Sequence, residues 1–146
     1  MKASLARPAV FGSFDGTASL LGVIIYLLLT HPDLIFPTAV SGALSSAVSM
    51  GGGEFLSDSA SGLSASAVMA LATFTGAALP AAPFAFGTGP PEIAAAALFI
   101  VAIGITVAGM RQNRGLGLAL AETFALLAAV AGVVVTCSLI LPGGAS

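Results

Sequence analysis

Apolar residues run through this chain in long unbroken stretches without period-two alternation, separated by clusters of Gly, Pro and polar residues. Runs of that length fit α-helices rather than the strands of a closed barrel, in which lipid-facing and lumen-facing residues alternate. Inside lipid every backbone N–H and C=O must be paired within the protein, and a helix meets that demand by itself. The pattern predicts five spans, over about residues 10–29, 36–57, 65–86, 93–110 and 116–141. His31-Pro32-Asp33 closes the first, because proline cannot continue the hydrogen-bond ladder. A serine-rich stretch, 58–64, leads to the third, whose end is bent by Pro80 and Pro83. Gly87-Thr88-Gly89-Pro90-Pro91 is a strong breaker before the fourth, and Arg111-Gln112-Asn113-Arg114-Gly115 opens the fifth. The expected fold is an all-α integral membrane protein, a single transmembrane domain over residues 1–146.

Composition agrees. Of 146 residues 58% are hydrophobic and 7% charged, against about 25% charged in ordinary soluble domains. Charges this sparse cannot cover a water-facing surface, so the partner medium is the lipid bilayer. Four basic residues in total leave no electrostatic footprint for nucleic acid, which is excluded as a partner. The lone Cys137 lies in an apolar run and has no second cysteine, which rules out disulfides and cysteine metal sites; it reads as filler. Asp15 interrupts the first apolar run and no small-residue cleavage pattern follows, so the first span is expected to stay as an anchor.

Lys2 and Arg7 precede the first span, and Arg111 and Arg114 lie between the fourth and fifth. With five spans all four fall on one side, so the positive-inside rule predicts a cytoplasmic amino terminus and an external carboxyl terminus. The expected location is the plasma membrane of a bacterium.

An ionisable residue at the centre of a span costs about 2.5–3.5 kcal/mol on insertion scales, which makes each such residue a functional candidate. Three qualify: Asp15 in the first span, Glu54 near the end of the second, and Glu122 in the fifth. The second span also carries Met50, Glu54 and Asp58 at i, i+4 and i+8, along one stripe of a helix. Gly42 and Ser46 extend that stripe outward with small residues. Carboxylates one turn apart repel unless a cation or a proton lies between them, which suits metal loading or proton exchange. The thioether of Met50 favours a transition ion over Mg²⁺ or Ca²⁺. The plainer alternative makes Met50 core filler and lets Glu54 and Asp58 mark a solvated helix end.

Gly51-Gly52-Gly53 lies between Met50 and Glu54, and each glycine costs a helix about 1 kcal/mol relative to Ala. The run either admits a neighbouring helix or opens the backbone to offer carbonyl oxygens. Gly12, Gly16 and Gly22 thin the first span around Asp15 in the same way. Glu122 can serve proton coupling, as can Glu54, or it can pair with Arg111 or Arg114. His31 reads as a solvated loop residue and Glu92 as a first-turn acid favoured by the helix dipole.

Three stretches resemble the vacuolar iron transporter family of proton-coupled Fe²⁺/Mn²⁺ carriers. VFGSFDGTASLLG (10–22) is similar to that family's first-helix Gly-x-x-Asp-Gly pattern, and SGALSSAVSMGGGEFLS (41–57) to its Ser-Met-x-x-Gly-Glu pattern. TGAALPAAPF (75–84) looks like its Gly-x-x-x-Pro-x-x-Pro third helix. The resemblance implies a five-helix homodimer with a pathway at the two-fold axis and with Asp15 and Met50 as membrane metal ligands beside Glu54. It implies export of Fe²⁺ or Mn²⁺ from the cytoplasm by proton antiport, the metal being a transported substrate and no cofactor being permanently bound. A two-fold axis would bring two copies of Asp15, Met50 and Glu54 together. The chain departs from the family in one large respect: typical members insert a Glu-rich cytoplasmic domain between the second and third helices, and here only about residues 58–64 fill that gap. Gly51 and Gly52 also stand where family members usually have Ala. The rival expectation is a non-transporting packing or regulatory protein of the same fold. A small multidrug exchanger would need an aromatic-lined pocket, and there is no Trp and one Tyr. An enzyme is not expected, because no nucleophile and base can be brought together: the single His lies in an outer turn and the single Cys deep in the last span.

Overall fold

A computed structural model describes residues 3–57, 62–111 and 115–140. The order is α1 (Ala3–Thr30), a 3-10 turn (Pro32–Leu34), α2 (Ile35–Ser57), α3 (Gly62–Ala81), a second 3-10 turn (Ala82–Ala85), α4 (Pro90–Met110) and α5 (Leu116–Ile140). Among the described residues there is no strand. Five helical stretches are each long and apolar enough to cross a membrane, and the chain is an all-helical integral membrane protein.

The helix ends differ from the expected spans where capping chemistry overrides hydropathy. α1 begins at Ala3, well before the apolar run, and carries Pro8 inside it. α3 begins at Gly62, whose φ of +70° is a left-handed turn that glycine adopts without strain. α4 begins at Pro90, with Gly89 as its N-cap and proline in the first turn, where the missing N–H is no loss. The third apolar run does not stay α-helical to Phe86. It tightens to 3-10 geometry after Ala81, and the Phe86 N–H bonds to Pro83 O at 3.0 Å.

α3 is the centre of the bundle, packing along both α1 and α2, while α4 and α5 lie against the outside of that trio. Between helices in lipid there is little hydrophobic driving force, so close approach has to come from small side chains. α2 shows this directly, since its buried positions are Ile35, Ala39, Ala43, Ala47 and Gly51, one every fourth residue. The seam of α1 with α3 is tighter. A Cβ built on Gly12 would lie 2.6 Å from the carbonyl oxygen of Met69, and one on Gly16 would come closer still to that of Thr73. From the other side, a Cβ on Gly76 would overlap the carbonyl of Ser13. The register rises together along both chains, so α1 and α3 run parallel.

Pro80 explains the polar contact in that seam. Having no N–H, it leaves the carbonyl of Gly76, four residues earlier, without its helical donor. Thr17, 2% exposed, shares its hydroxyl between Ser13 O on its own helix at 2.8 Å and Gly76 O across the seam at 3.0 Å. The Gly-x-x-x-Pro spacing in α3 therefore creates a free acceptor at the residue whose missing side chain admits α1. Among the described residues no buried side-chain polar atom lacks a partner.

Larger side chains fill the far half of the bundle. Leu20, Ile24 and Leu27 of α1 meet Ile35, Ala39 and Ala43 of α2, closed by Phe84 and Ala96. On α5, Val134 approaches Gly22 of α1, and Phe124 stacks its ring over Gly104 of α4. The glycine contacts of α1 with α3 lie toward the end that carries Arg7, and the candidate site lies there.

Candidate functional site

Asp15 is half-buried on α1. Its neighbours Gly12 and Gly16 are turned into the seam with α3, so the carboxylate lies on a different face, in line with Phe11 one turn before it and Ser19 one turn after, both exposed. The glycines therefore thin α1 on its packed side, and Asp15 borders the open side. On α2, Met50 and Glu54 are both half-buried, and the intermediate Ser46 continues the same stripe. This row lies beside the fully packed row of Ala43, Ala47 and Gly51.

Where α1, α2 and α3 come together at the Arg7 end, they enclose a cleft of about 250 Å³ lined by Arg7, Pro8, Phe11, Glu54, Ser57 and Met69. Phe11 and Glu54 are its deepest members on their helices. One turn further in, about 6 Å at 1.5 Å per residue, the same two faces carry Asp15 and Met50. Each of these two predicted residues thus lies one helical turn from a lining residue on its own helix.

The three consecutive glycines separate in the structure. A Cβ on Gly51 would meet Ala70 Cβ at 2.8 Å and Ser66 O at 3.0 Å, so Gly51 serves close packing of α2 on α3. Gly52 and Gly53 face open space, with nothing within 4 Å of the same position. α2 remains helical through all three, so the run does not open the backbone. Asp58, the last member of the predicted stripe, lies outside the described residues.

Glu122 is placed at the same end, on α5. Arg111 Nη2 donates to Glu122 Oε2 at 2.6 Å, with the two side chains 30% and 31% exposed. The pairing expected as one of its two readings is thus present, joining the end of α4 to α5, and its role in proton coupling is a separate matter. Arg114 lies outside the described residues. The remaining polar candidates take their plainer places. His31 is exposed in the turn after α1, with its N–H on Leu27 O at 2.8 Å. Glu92 sits in the first turn of α4, its carboxylate against Gly87 and Gly89. Cys137 is exposed on α5.

Met69 is the residue that reading along the chain passed over. It is 6% exposed and lines the cleft beside Glu54, adding a thioether on α3 to that of Met50 on α2. Its position seven residues before Gly76, two turns along one helix face, was the available signal. Among the described residues no group of three or more His, Cys, Asp or Glu side chains comes together. Within one chain the arrangement offers isolated carboxylates and thioethers stacked in depth.

No family model matches the chain, and no curated protein or solved structure matches it. The fold itself defines the class as an all-helical membrane protein with five helices long and apolar enough to span a bilayer.

Proposed function

We propose that this protein is a homodimeric carrier that exports a divalent transition ion, Fe²⁺ or Mn²⁺, from the cytoplasm in exchange for protons. The observation that carries the reading is that Glu54 and Phe11 line one cleft at the Arg7 end, with Met50 one turn before Glu54 on α2 and Asp15 one turn after Phe11 on α1. A carboxylate followed by a thioether and a second carboxylate gives an ion of intermediate softness successive partial coordination. One chain supplies too few ligands for a closed site, and a two-fold partner would double each of them. In this scheme Glu54 receives the ion, Asp15 and Met50 hold it within the membrane, and the carboxylates take up protons when the ion leaves. Asp58, four residues after Glu54 in the sequence, is a further acidic candidate for the ion. Glu122 stabilises the Arg111 end of α5 and is the candidate for a second proton site.

A second reading has its own support. The glycines Gly12, Gly16, Gly51 and Gly76 are all consumed by packing, as expected of a non-transporting packing or regulatory protein that kept the same helices.

Flux measurements in proteoliposomes discriminate between the two. Asp15→Asn preserves shape and removes the charge that a divalent ion needs, while Met50→Leu preserves volume and removes sulfur. A carrier should show Fe²⁺-dependent proton movement that Asp15→Asn abolishes, and Met50→Leu should lower Fe²⁺ flux with little effect on folding. Fe²⁺ and Mn²⁺ flux no greater than in empty liposomes, for the unaltered protein, would reject transport. Intact dimer and intact flux in Asp15→Asn would remove that residue from the mechanism.

A further inference from the structure

The cleft at the Arg7 end holds two unlike charges at the level where α1 begins and α2 ends. Arg7 is exposed near the start of α1, and Glu54 is half-buried one turn before the end of α2. Both line the cleft, yet among the described residues no ion pair joins them. Ser57 stands on the same wall, its hydroxyl donating to Glu54 O at 3.3 Å. The rest of the lining is apolar: Pro8, the buried Met69, and Phe11, which is 55% exposed. A surface that keeps a guanidinium and a carboxylate apart over an apolar floor is complementary to a ligand that carries an anion and a cation on one short linker, next to hydrocarbon.

We propose that this cleft binds the headgroup of a zwitterionic phospholipid, with Arg7 on the phosphate, Glu54 on the ammonium, and Phe11 and Met69 against the first carbons of the lipid. Guanidinium–phosphate contacts are charge-assisted and directional. The carboxylate supplies the selectivity, since it repels a headgroup that bears only negative charge. Size agrees, because about 250 Å³ is below the roughly 300–1,000 Å³ of sites that enclose a whole small molecule and suits a headgroup whose remainder stays in the bilayer. The same phosphate–ammonium chemistry occurs in soluble phosphoethanolamine, but the exposed ring of Phe11, an apolar surface beside the charged pair, assigns the site to the lipid.

Native mass spectrometry of the detergent-purified protein, without metal, tests the proposal separately from transport. Dioleoyl-phosphatidylethanolamine should occupy one site per chain about tenfold more tightly than dioleoyl-phosphatidylglycerol, the difference that one charge-assisted contact makes. Arg7→Gln should weaken both lipids about tenfold, and Glu54→Gln should bring the two within about twofold of each other. Cooperative unfolding followed by circular dichroism certifies that each variant is folded. Equal affinity for the two lipids in the unaltered protein, or no change of affinity in either folded variant, overturns the proposal. Soluble phosphoethanolamine binding as tightly as the lipid also overturns it, by assigning the cleft to a soluble zwitterion. Loss of lipid selectivity in Glu54→Gln is read in the absence of Fe²⁺ and Mn²⁺, so it stands or falls apart from the carrier reading.

Discussion

Substituting Gly16 with alanine strikes the bundle where it can yield least. The added Cβ would point at the carbonyl oxygen of Thr73, closer than the 2.6 Å that separates a Cβ at Gly12 from Met69 O. An unstrained carbon–oxygen approach is about 3.3 Å or more, so even at Gly12 the shortfall is about 0.7 Å, and at Gly16 it is larger. Both obstacles are backbone atoms of α3 and cannot rotate away. α1 must therefore move off α3, which loosens the packing along Gly12, Gly16 and Gly76 and stretches the Thr17–Gly76 hydrogen bond beyond its present 3.0 Å. Overpacking of a tight interface costs typically about 1–3 kcal/mol, and an interhelical hydrogen bond in a membrane protein adds about 0.6 kcal/mol. Set against a helix-propensity gain of up to about 1 kcal/mol, Gly16→Ala should lose about 2 kcal/mol of unfolding free energy, measured by titrating detergent-solubilised protein with sodium dodecyl sulfate and following helix content. Gly51→Ala, with its nearest obstacle a methyl group at 2.8 Å, should lose less. Gly132→Ala, with nothing within 4 Å, should lose nothing and gain up to about 1 kcal/mol of helix propensity. A loss below about 1 kcal/mol in Gly16→Ala, or a larger loss in Gly132→Ala than in Gly16→Ala, would refute the packing argument.

Thr17→Val removes the donor that satisfies Gly76 O and should cost about 1–2 kcal/mol in the same titration, with Thr17→Ser recovering most of it; equal stability of the valine and serine variants would show that the hydroxyl contributes nothing. Breaking the Arg111–Glu122 pair with Glu122→Gln should cost about 0.2–1 kcal/mol, because both side chains are partly solvated, and a stability gap between variant and parent that stays constant as salt rises would count against an ionic contribution. In a Cys137→Ser background, cysteine at Thr88 should be labelled by an impermeant maleimide added outside intact cells, and cysteine at Gly115 only after the membrane is opened. The reverse labelling pattern would overturn the orientation read from the basic residues.

Much of the architecture was legible along the chain, and the reason is the solvent. Lipid demands that each crossing segment be apolar for about 20 residues and satisfy its own backbone, so uninterrupted runs and the four breaks at Pro32, the serine-rich stretch 58–64, Gly87–Pro91 and Arg111–Gly115 already mark five helices in nearly their final places. The same demand made Asp15, Glu54 and Glu122 conspicuous before any coordinates. Packing was not legible in that way, since helix partners in lipid are selected by the fit of small surfaces and apolar patterning does not distinguish one lipid-compatible face from another. Three adjacent glycines look alike in sequence. Only the position of α3 makes Gly51 a contact and leaves Gly52 and Gly53 open. Likewise Thr17 and Pro80 are 63 positions apart in the chain, and only the parallel register of α1 and α3 sets the threonine hydroxyl on the carbonyl that the proline frees. The tertiary structure also decided that Met69 shares a cleft with Glu54 and Arg7, because residues on three different helices meet only where those helices converge.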